Sequence, residues 1–309
     1  MRRILIAAAS LLLICLLGSG LVGRAIGPNV LHPYKASPDP ARLAWVDAML
    51  ERTHAAREDF SVRAADGAIL CGWRIRPASP NGDWVLLFHG LGDNRTGTAM
   101  FAEFLLRDGY GVVMMDSRAQ GESGGTIATY GWIERHDATA IIDGLVSSEN
   151  VRHIFALGVS MGAAVALQSA QAETRITAVV AEDPFANLRE VSYDYAGLRR
   201  WPALGMTLFR PASIEALRAV AVAGGFDPDQ VSPENAVATV PFPVLLICGT
   251  ADRTIPCRHA EMIYKAARGS KQLWEVPGAP HASAYGQAPE EYEQRVLTFF
   301  GRQSHPGRL

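Results

Sequence analysis

Gly158-Val159-Ser160-Met161-Gly162 lies between an apolar run ending at Leu157 and a segment, Met161 to Glu173, whose apolar residues recur at helical spacing. A serine at a tight strand-to-helix turn is held clear of the sheet, and glycines flank it because Cβ atoms would collide there. The helix N-terminus beneath it favours developing negative charge. Such a five-residue pattern is common by chance, so its strand and helix context gives it weight. A serine hydroxyl is a poor nucleophile at neutral pH; it needs a base, and the base needs an orienting carboxylate. Gly249-Thr250-Ala251-Asp252 follows the apolar run Val244 to Ile247, and Gly278-Ala279-Pro280-His281 follows the run ending at Val276. Loops at the C-terminal ends of parallel strands gather on one sheet edge. Ser160, Asp252 and His281 are therefore expected to meet, and their chemistry would be acyl transfer through a serine ester.

The elements that must position them read as a repeating switch between short apolar runs and helix-period segments. Trp84–Phe88, Gly111–Met115, His153–Leu157, Ile176–Val180, Val244–Ile247 and Gln272–Val276 predict six strands. Thr98–Asp108, Asp137–Ser147, Met161–Glu173, His259–Arg268 and Glu290–Phe300 predict the helices between them. Strands apolar throughout and separated by helices are buried on both faces, which makes the fold class α/β with a mostly parallel sheet. Before them, Ala41–Arg57 has helical spacing, and Phe60–Pro77 alternates around Asp66-Gly67 as a hairpin. Residues 184–243 are too long for a simple connection and predict a helical insertion. Its apolar residues, Tyr193, Tyr195, Leu198, Trp201, Leu204, Met206, Leu208, Phe209 and Phe226, either form a small core of their own or face substrate.

The order Ser160, Asp252, His281 resembles that of the α/β-hydrolase superfamily. The likeness runs from about Phe60 to Gly301 and includes His89-Gly90, the stretch Asp116-Ser117-Arg118-Ala119-Gln120-Gly121-Glu122-Ser123, and Thr254-Ile255-Pro256 beside Asp252. Within it the chain looks most like membrane-anchored hydrolases related to monoacylglycerol lipases and serine aminopeptidases. The resemblance implies an α/β-hydrolase fold with a helical cap over about 184–243. It also implies an oxyanion hole made by the backbone N–H groups of Leu91, just after His89-Gly90, and Met161, just after Ser160. His89 is expected to shape that turn, and Asp116 and Arg118 to fix the loop over the site. Asp183 also follows a strand and is the competing candidate for the acid. His136, His153 and His259 are read as surface or boundary residues without partners. Gly121–Gly125 lacks a Walker lysine or dinucleotide spacing, so no phosphate cradle is expected.

The remaining composition narrows partners. Of 309 residues, 49% are hydrophobic and 19% charged, enough for one substantial core, and the net charge of -2 has no basic run for a phosphate backbone. No nucleic acid, metal or cofactor is expected. Ile4–Gly23 is uncharged between Arg3 and Arg24 and long enough to cross a bilayer, with Arg2 and Arg3 on the cytoplasmic side. This favours an N-terminal anchor over 1–26 with the catalytic part outside the cytoplasm; the alternative is a cleaved signal peptide ending near Gly18-Ser19-Gly20. Pro28, Pro33, Pro38 and Pro40 suggest an extended linker before the leading helix, the two together filling 27–58. Of the cysteines, Cys71, Cys248 and Cys257 allow one disulfide whose pairing the sequence leaves open, and Cys248, ending an apolar run, reads as a buried thiol. The expected activity is cleavage of carboxylic esters or thioesters with a hydrophobic acyl group. The alternatives are a peptidase or amidase, with Glu182, Asp183 or Asp194 holding a substrate amine, and a binding protein without catalysis.

Overall fold

The computed structural model describes residues 2–304, without the side chains of 2–9, 11, 12 and 14. Eight strands form one sheet: β1 (Ala56–Arg63), β2 (Ile69–Arg76), β3 (Asp83–Phe88), β4 (Gly111–Met115), β5 (His153–Val159), β6 (Ile176–Glu182), β7 (Val244–Gly249) and β8 (Lys271–Val276). Their order is β1-β2-β4-β3-β5-β6-β7-β8. The β1–β2 hairpin and the β2–β4 pairing are antiparallel, and every pairing from β4 through β8 is parallel. All six expected core strands are present.

Their apolar character follows from burial on both faces. Leu86, Val113, Ala156, Val179 and Leu246 point into one core with helices α4 (Glu134–Val146), α5 (Met161–Ala172), α9 (Pro233–Thr239) and α10 (Arg258–Ala266). The alternate residues Val85, Val112, Phe155, Val180 and Leu245 point into the other, with α2 (Pro40–Thr53), α3 (Ala99–Arg107) and α12 (Pro289–Ser304). There Phe155 stacks on Phe300 at 4.5 Å between ring centroids. The short helix α11 (Ala284–Gln287) precedes α12. Helix α2 ends at Thr53, short of the expected Arg57, because His54 turns left-handed at φ 52° and Ala56 already pairs in β1.

Between β6 and β7 the insertion folds as α6 (Leu188–Ala196), α7 (Pro202–Met206), α8 (Arg210–Gly224), a 3₁₀ turn at Pro228–Gln230, and α9. Helix α1 (Arg2–Ile26) lies against α8 and runs into a 3₁₀ turn, Gly27–Leu31. Among the described residues no helix is long and apolar enough to cross a membrane, and the first half of the expected span Ile4–Gly23 lies largely outside the described side chains. The stretch after Gly27, expected to stand off as a linker, is laid along the domain. Leu31 is fully buried in the core, the Ala128 N–H donates to its carbonyl at 2.8 Å, and the Tyr130 hydroxyl donates to the Val30 carbonyl at 2.6 Å. One buried leucine and two hydrogen bonds outweigh the extended tendency of the prolines.

Candidate active site

Ser160 occupies the turn between β5 and α5 with φ 56° and ψ -121°, a conformation that costs a non-glycine residue on the order of 1–3 kcal/mol. The surroundings enforce it. The Ser160 N–H donates to the Glu182 carbonyl on the neighbouring strand at 2.8 Å. A Cβ on Gly158 would lie 2.2 Å from the Gly162 carbonyl oxygen, and one on Gly162 would lie 2.2 Å from that of Phe88. Both glycines are thus required by close backbone approach, as the sequence suggested.

His281 follows β8, and its Nε2 lies 2.9 Å from Ser160 Oγ. Its Nδ1 lies 2.6 Å from Asp252 Oδ2, while Asp252 Oδ1 accepts from the N–H groups of Thr254 and Ile255 at 2.6 and 3.0 Å. With Nδ1–H donating to Asp252, Nε2 is free to accept the serine hydroxyl. The three expected side chains form one hydrogen-bonded row across the C-terminal edge of the sheet. Burial pulls the His281 pKa down, but the hydrogen bond and charge of Asp252, with Asp183 and Glu182 behind it, more than offset this and leave it above its ordinary value.

Asp183, the competing acid, sits 3.8 Å from His281 Nδ1. Its oxygens accept instead from the backbone N–H groups of Gly249 at 2.9 Å and Ala282 at 2.7 Å, tying the loops after β7 and β8 to β6. Burial, and then the charge of Asp252, push its pKa up to about 6. Glu182 is fully buried and raised to about 7 by burial and then by Asp183; its Oε1 accepts from the Ala284 N–H at 3.0 Å. One donor atom each from Asp183, Asp252 and His281 falls within 4.8 Å of the others, the spacing of a metal cluster. The hydrogen bonds just described already engage all four carboxylate oxygens of the pair, so the cluster holds the loops together by itself.

Leu91 and Met161 line the same cavity as Ser160, and among the described residues neither backbone N–H is paired with an acceptor. His89 is buried; its Nε2 accepts from the Ser117 N–H at 2.9 Å, which leaves Nδ1–H to donate to the Gly90 carbonyl at 2.8 Å. Burial lowers its pKa. With both nitrogens engaged it shapes the turn, as expected. Asp116 accepts from the backbone N–H groups of Arg95 and Glu122, and Arg118 pairs with Asp137 and Asp66, so both fix the loop after β4. The sequence reading gave no role to Gln120. This buried side chain accepts from the Gly92 N–H at 2.6 Å and places its amide nitrogen 3.8 Å from Met161 Sδ, bridging the two turns that carry the free N–H groups. Only its place in the loop after β4 hinted at this.

Three expectations are corrected. His259 is fully buried: its Nδ1 accepts from the Ala186 N–H and its Nε2 lies 2.6 Å from Asp194, which also pairs with Arg258. Its partner lies in the insertion, so neighbouring sequence could not reveal it. Cys248 is not a buried thiol but is bonded to Cys257, with Cα atoms 5.4 Å apart. The disulfide closes the loop that carries Asp252, and Cys71 remains free. His153, expected to have no partner, also has one: its Nδ1 lies 2.8 Å from Asp83 Oδ1 at the opposite end of the sheet, while the Arg135 Nε–H donates to His136 Nε2 at 3.3 Å.

A cavity of about 460 Å³ opens onto Ser160. Its walls include Tyr130, Phe185, Leu188, Val191, Tyr195, Leu217, Val220 and Ile255, with Gly23, Ile26, Gly27, Asn29, Val30 and Pro33 from the N-terminal segment. Among the described residues no charged side chain lines it. Glu182, Asp183 and Asp194 all lie outside it.

Sheet order, nucleophile turn and capping insertion together define an α/β hydrolase. Residues 85–295 match the model of the alpha/beta hydrolase family, and the chain belongs to that family. It is 29% identical over 248 residues to the uncharacterized protein YqkD of Bacillus subtilis, covering 78% of each chain. It is 30% identical to an uncharacterized protein of Mycobacterium tuberculosis, over 78% of this chain and 76% of that one. Among solved structures it is similar to the Pyrococcus furiosus esterase Pf2001, with TM-score 0.70 and 25% identity over 88% of this chain and 98% of the esterase.

Proposed function

We propose that the chain is a serine hydrolase that cleaves carboxylic esters or thioesters of an apolar acyl group through an acyl-enzyme on Ser160. The observation that carries this reading is the uncharged, largely apolar cavity opening onto a serine already hydrogen-bonded to a histidine. Ser160 Oγ attacks the carbonyl carbon while His281 Nε2 takes the hydroxyl proton. The backbone N–H groups of Leu91 and Met161 receive the oxyanion, and each such donor is worth on the order of 3 kcal/mol. His281 then gives its proton to the leaving alcohol or thiol, and water attacks the acyl-enzyme with His281 again as base. Asp252 orients the imidazole and stabilises its cation. The similarity to an esterase supports ester cleavage.

The amidase reading is less well supported, because the carboxylates that would hold a substrate amine are committed elsewhere: Asp194 to His259 and Arg258, Glu182 and Asp183 to backbone N–H groups. We also infer from the uncharged stretch Ile4–Gly23 that the N-terminal segment holds the chain at a membrane, with the hydrolase domain outside the cytoplasm. Resistance to alkaline carbonate extraction tests that attachment. The decisive test of activity is labelling by a fluorophosphonate probe beside parallel assays on p-nitrophenyl acyl esters and aminoacyl anilides. Label that requires Ser160, with turnover of esters but not anilides, is the expected result. Folded protein without serine-dependent label would sink the reading.

A further inference from the structure

The N-terminal helix meets the cap through backbone rather than side chains. A Cβ on Gly23 would lie 2.0 Å from the Ala212 carbonyl oxygen of α8, and one on Gly27 would lie 2.6 Å from that of Ala216. Gly23 near the end of α1 and Gly27 at the start of the turn after it are four residues apart, as are Ala212 and Ala216 on α8, so at these two points the backbones touch, while one turn earlier Gly20 faces Pro211 and Glu215. The same α8 turns present Ala212, Ser213, Ala216, Leu217 and Val220 to the cavity that holds Ser160, and Gly23, Ile26 and Val30 join them there. Beyond the seam the chain is pinned again, by the buried Leu31 and by the hydrogen bond from Tyr130 to Val30. The segment is fixed at both ends of the stretch that borders the cavity.

We infer that the end of α1 and the turn after it are a wall of the acyl-binding pocket that sets which chain lengths it accepts, so that the working enzyme retains this segment. The inference rests on the ester-hydrolase reading and specifies its substrate-selecting surface. A leader removed after export would take with it the face that α8 is built to receive. Moving α1 off α8 would expose one side of a bound acyl chain to water, and each methylene that loses contact weakens binding by about fourfold.

The test measures kcat/KM for p-nitrophenyl acetate and octanoate, together with the Kd of a dansylated medium-chain fatty acid read by fluorescence. The second readout needs no turnover. Gly23→Leu should lower the octanoate-to-acetate ratio by about tenfold or more and weaken probe binding similarly, the contact of roughly two methylenes. Gly18→Leu, where an added Cβ meets nothing within 4 Å, should leave both unchanged. If Gly23→Leu does not fold, Val30→Trp reads the same wall by filling the cavity, and should lower the octanoate ratio and probe affinity. Unchanged ratio and unchanged Kd in folded Gly23→Leu or Val30→Trp overturn the inference, as does active protein beginning after Ile26 with the full-length profile. Wild-type protein that binds the probe in a wall-dependent way yet hydrolyses neither ester overturns the ester-hydrolase reading and leaves the wall standing.

Discussion

The sheet edge and the cap solve different problems with different materials. At the edge, each polar atom of Asp252, His281 and Asp183 has an assigned partner within 3 Å, and Ser160 is forced into a strained turn by two glycines that admit no Cβ. In the cap and the N-terminal segment the residues lining the cavity are uncharged and mostly apolar, with Asn29, Ser192 and Ser213 the small polar ones, and several large side chains, including Leu198 at 70% exposed and Trp201 at 50%, face outward. Reactivity depends on a few atoms held within tenths of an ångström. Selectivity is spread over many weak contacts, each replaceable. Mutations at the edge should therefore act in large discrete steps, and mutations in the cap in small graded ones.

On the proposed mechanism the largest step is loss of the nucleophile or base. Ser160→Ala or His281→Ala should each lower kcat/KM for a preferred ester by about 10⁴-fold or more, with the double variant scarcely worse than either single one, since the two act as a unit. Steady-state kinetics on the three proteins checks this; additive losses would mean that the residues do not share a step.

Asp252 and Asp183 offer a sharper contrast, being two carboxylates beside one imidazole. Asp252→Asn should cost about 10³- to 10⁴-fold in kcat, because an amide can hold His281 in the wrong tautomer. Asp183→Asn should keep activity within about tenfold but lower stability by roughly 1–3 kcal/mol, because one of the backbone N–H groups of Gly249 and Ala282 then loses its acceptor. Denaturant unfolding beside kinetics separates the two effects. The reverse pattern would make Asp183 the working acid.

The pH profile follows from the same carboxylates. His281 must be neutral to act as base, and its pKa is raised, so kcat/KM should climb about tenfold per pH unit below a midpoint lying above the ordinary 6.5 and level off beyond it. A midpoint below 6.5 would mean that burial outweighs the carboxylates.

What was legible in the sequence follows this division. The strands, the nucleophile turn and the positions of Asp252 and His281 depend on local period and on residues adjacent to strand ends, so apolar runs and glycines sufficed. Partnerships across long separations left no local trace. His259 looked superficial because Asp194 lies 65 residues away, and the Cys248–Cys257 bond depends on how the Asp252 loop returns. Helix α4 begins at Glu134 rather than the expected Asp137, and the Glu134 carboxylate accepts from the Thr129 and Gly131 N–H groups of the preceding turn, a polar anchor that apolar spacing does not register. Gly23 and Gly27 read as parts of a leader and a linker, and acquire meaning only once α8 lies against them.

Gln120 stands between the two regions, a polar residue that acts only through backbone. Its carbonyl oxygen fixes the Gly92 N–H, one residue beyond the Leu91 N–H, and its amide rests near the Met161 side chain. Gln120→Ala should lower kcat by about tenfold with KM nearly unchanged, since a displaced oxyanion donor weakens the transition state more than the ground state. A rise in KM instead would make Gln120 part of the acyl surface.

The smallest and most graded effect belongs to the cap. Each methylene added to the acyl chain should raise kcat/KM about fourfold, the equivalent of about 0.8 kcal/mol of apolar burial, until the cavity of about 460 Å³ is filled. A series of p-nitrophenyl esters from acetate to dodecanoate traces the slope and its break. The break reports depth, and the slope reports how completely the walls exclude water. A flat series would place the acyl chain outside this cavity, and selectivity would then have to arise at the rim, where Ile26, Val30, Leu91 and Tyr195 are exposed side chains among those lining the cavity. A slope that persists beyond the volume of the cavity would instead mean that the seam between α1 and α8 opens to admit longer chains.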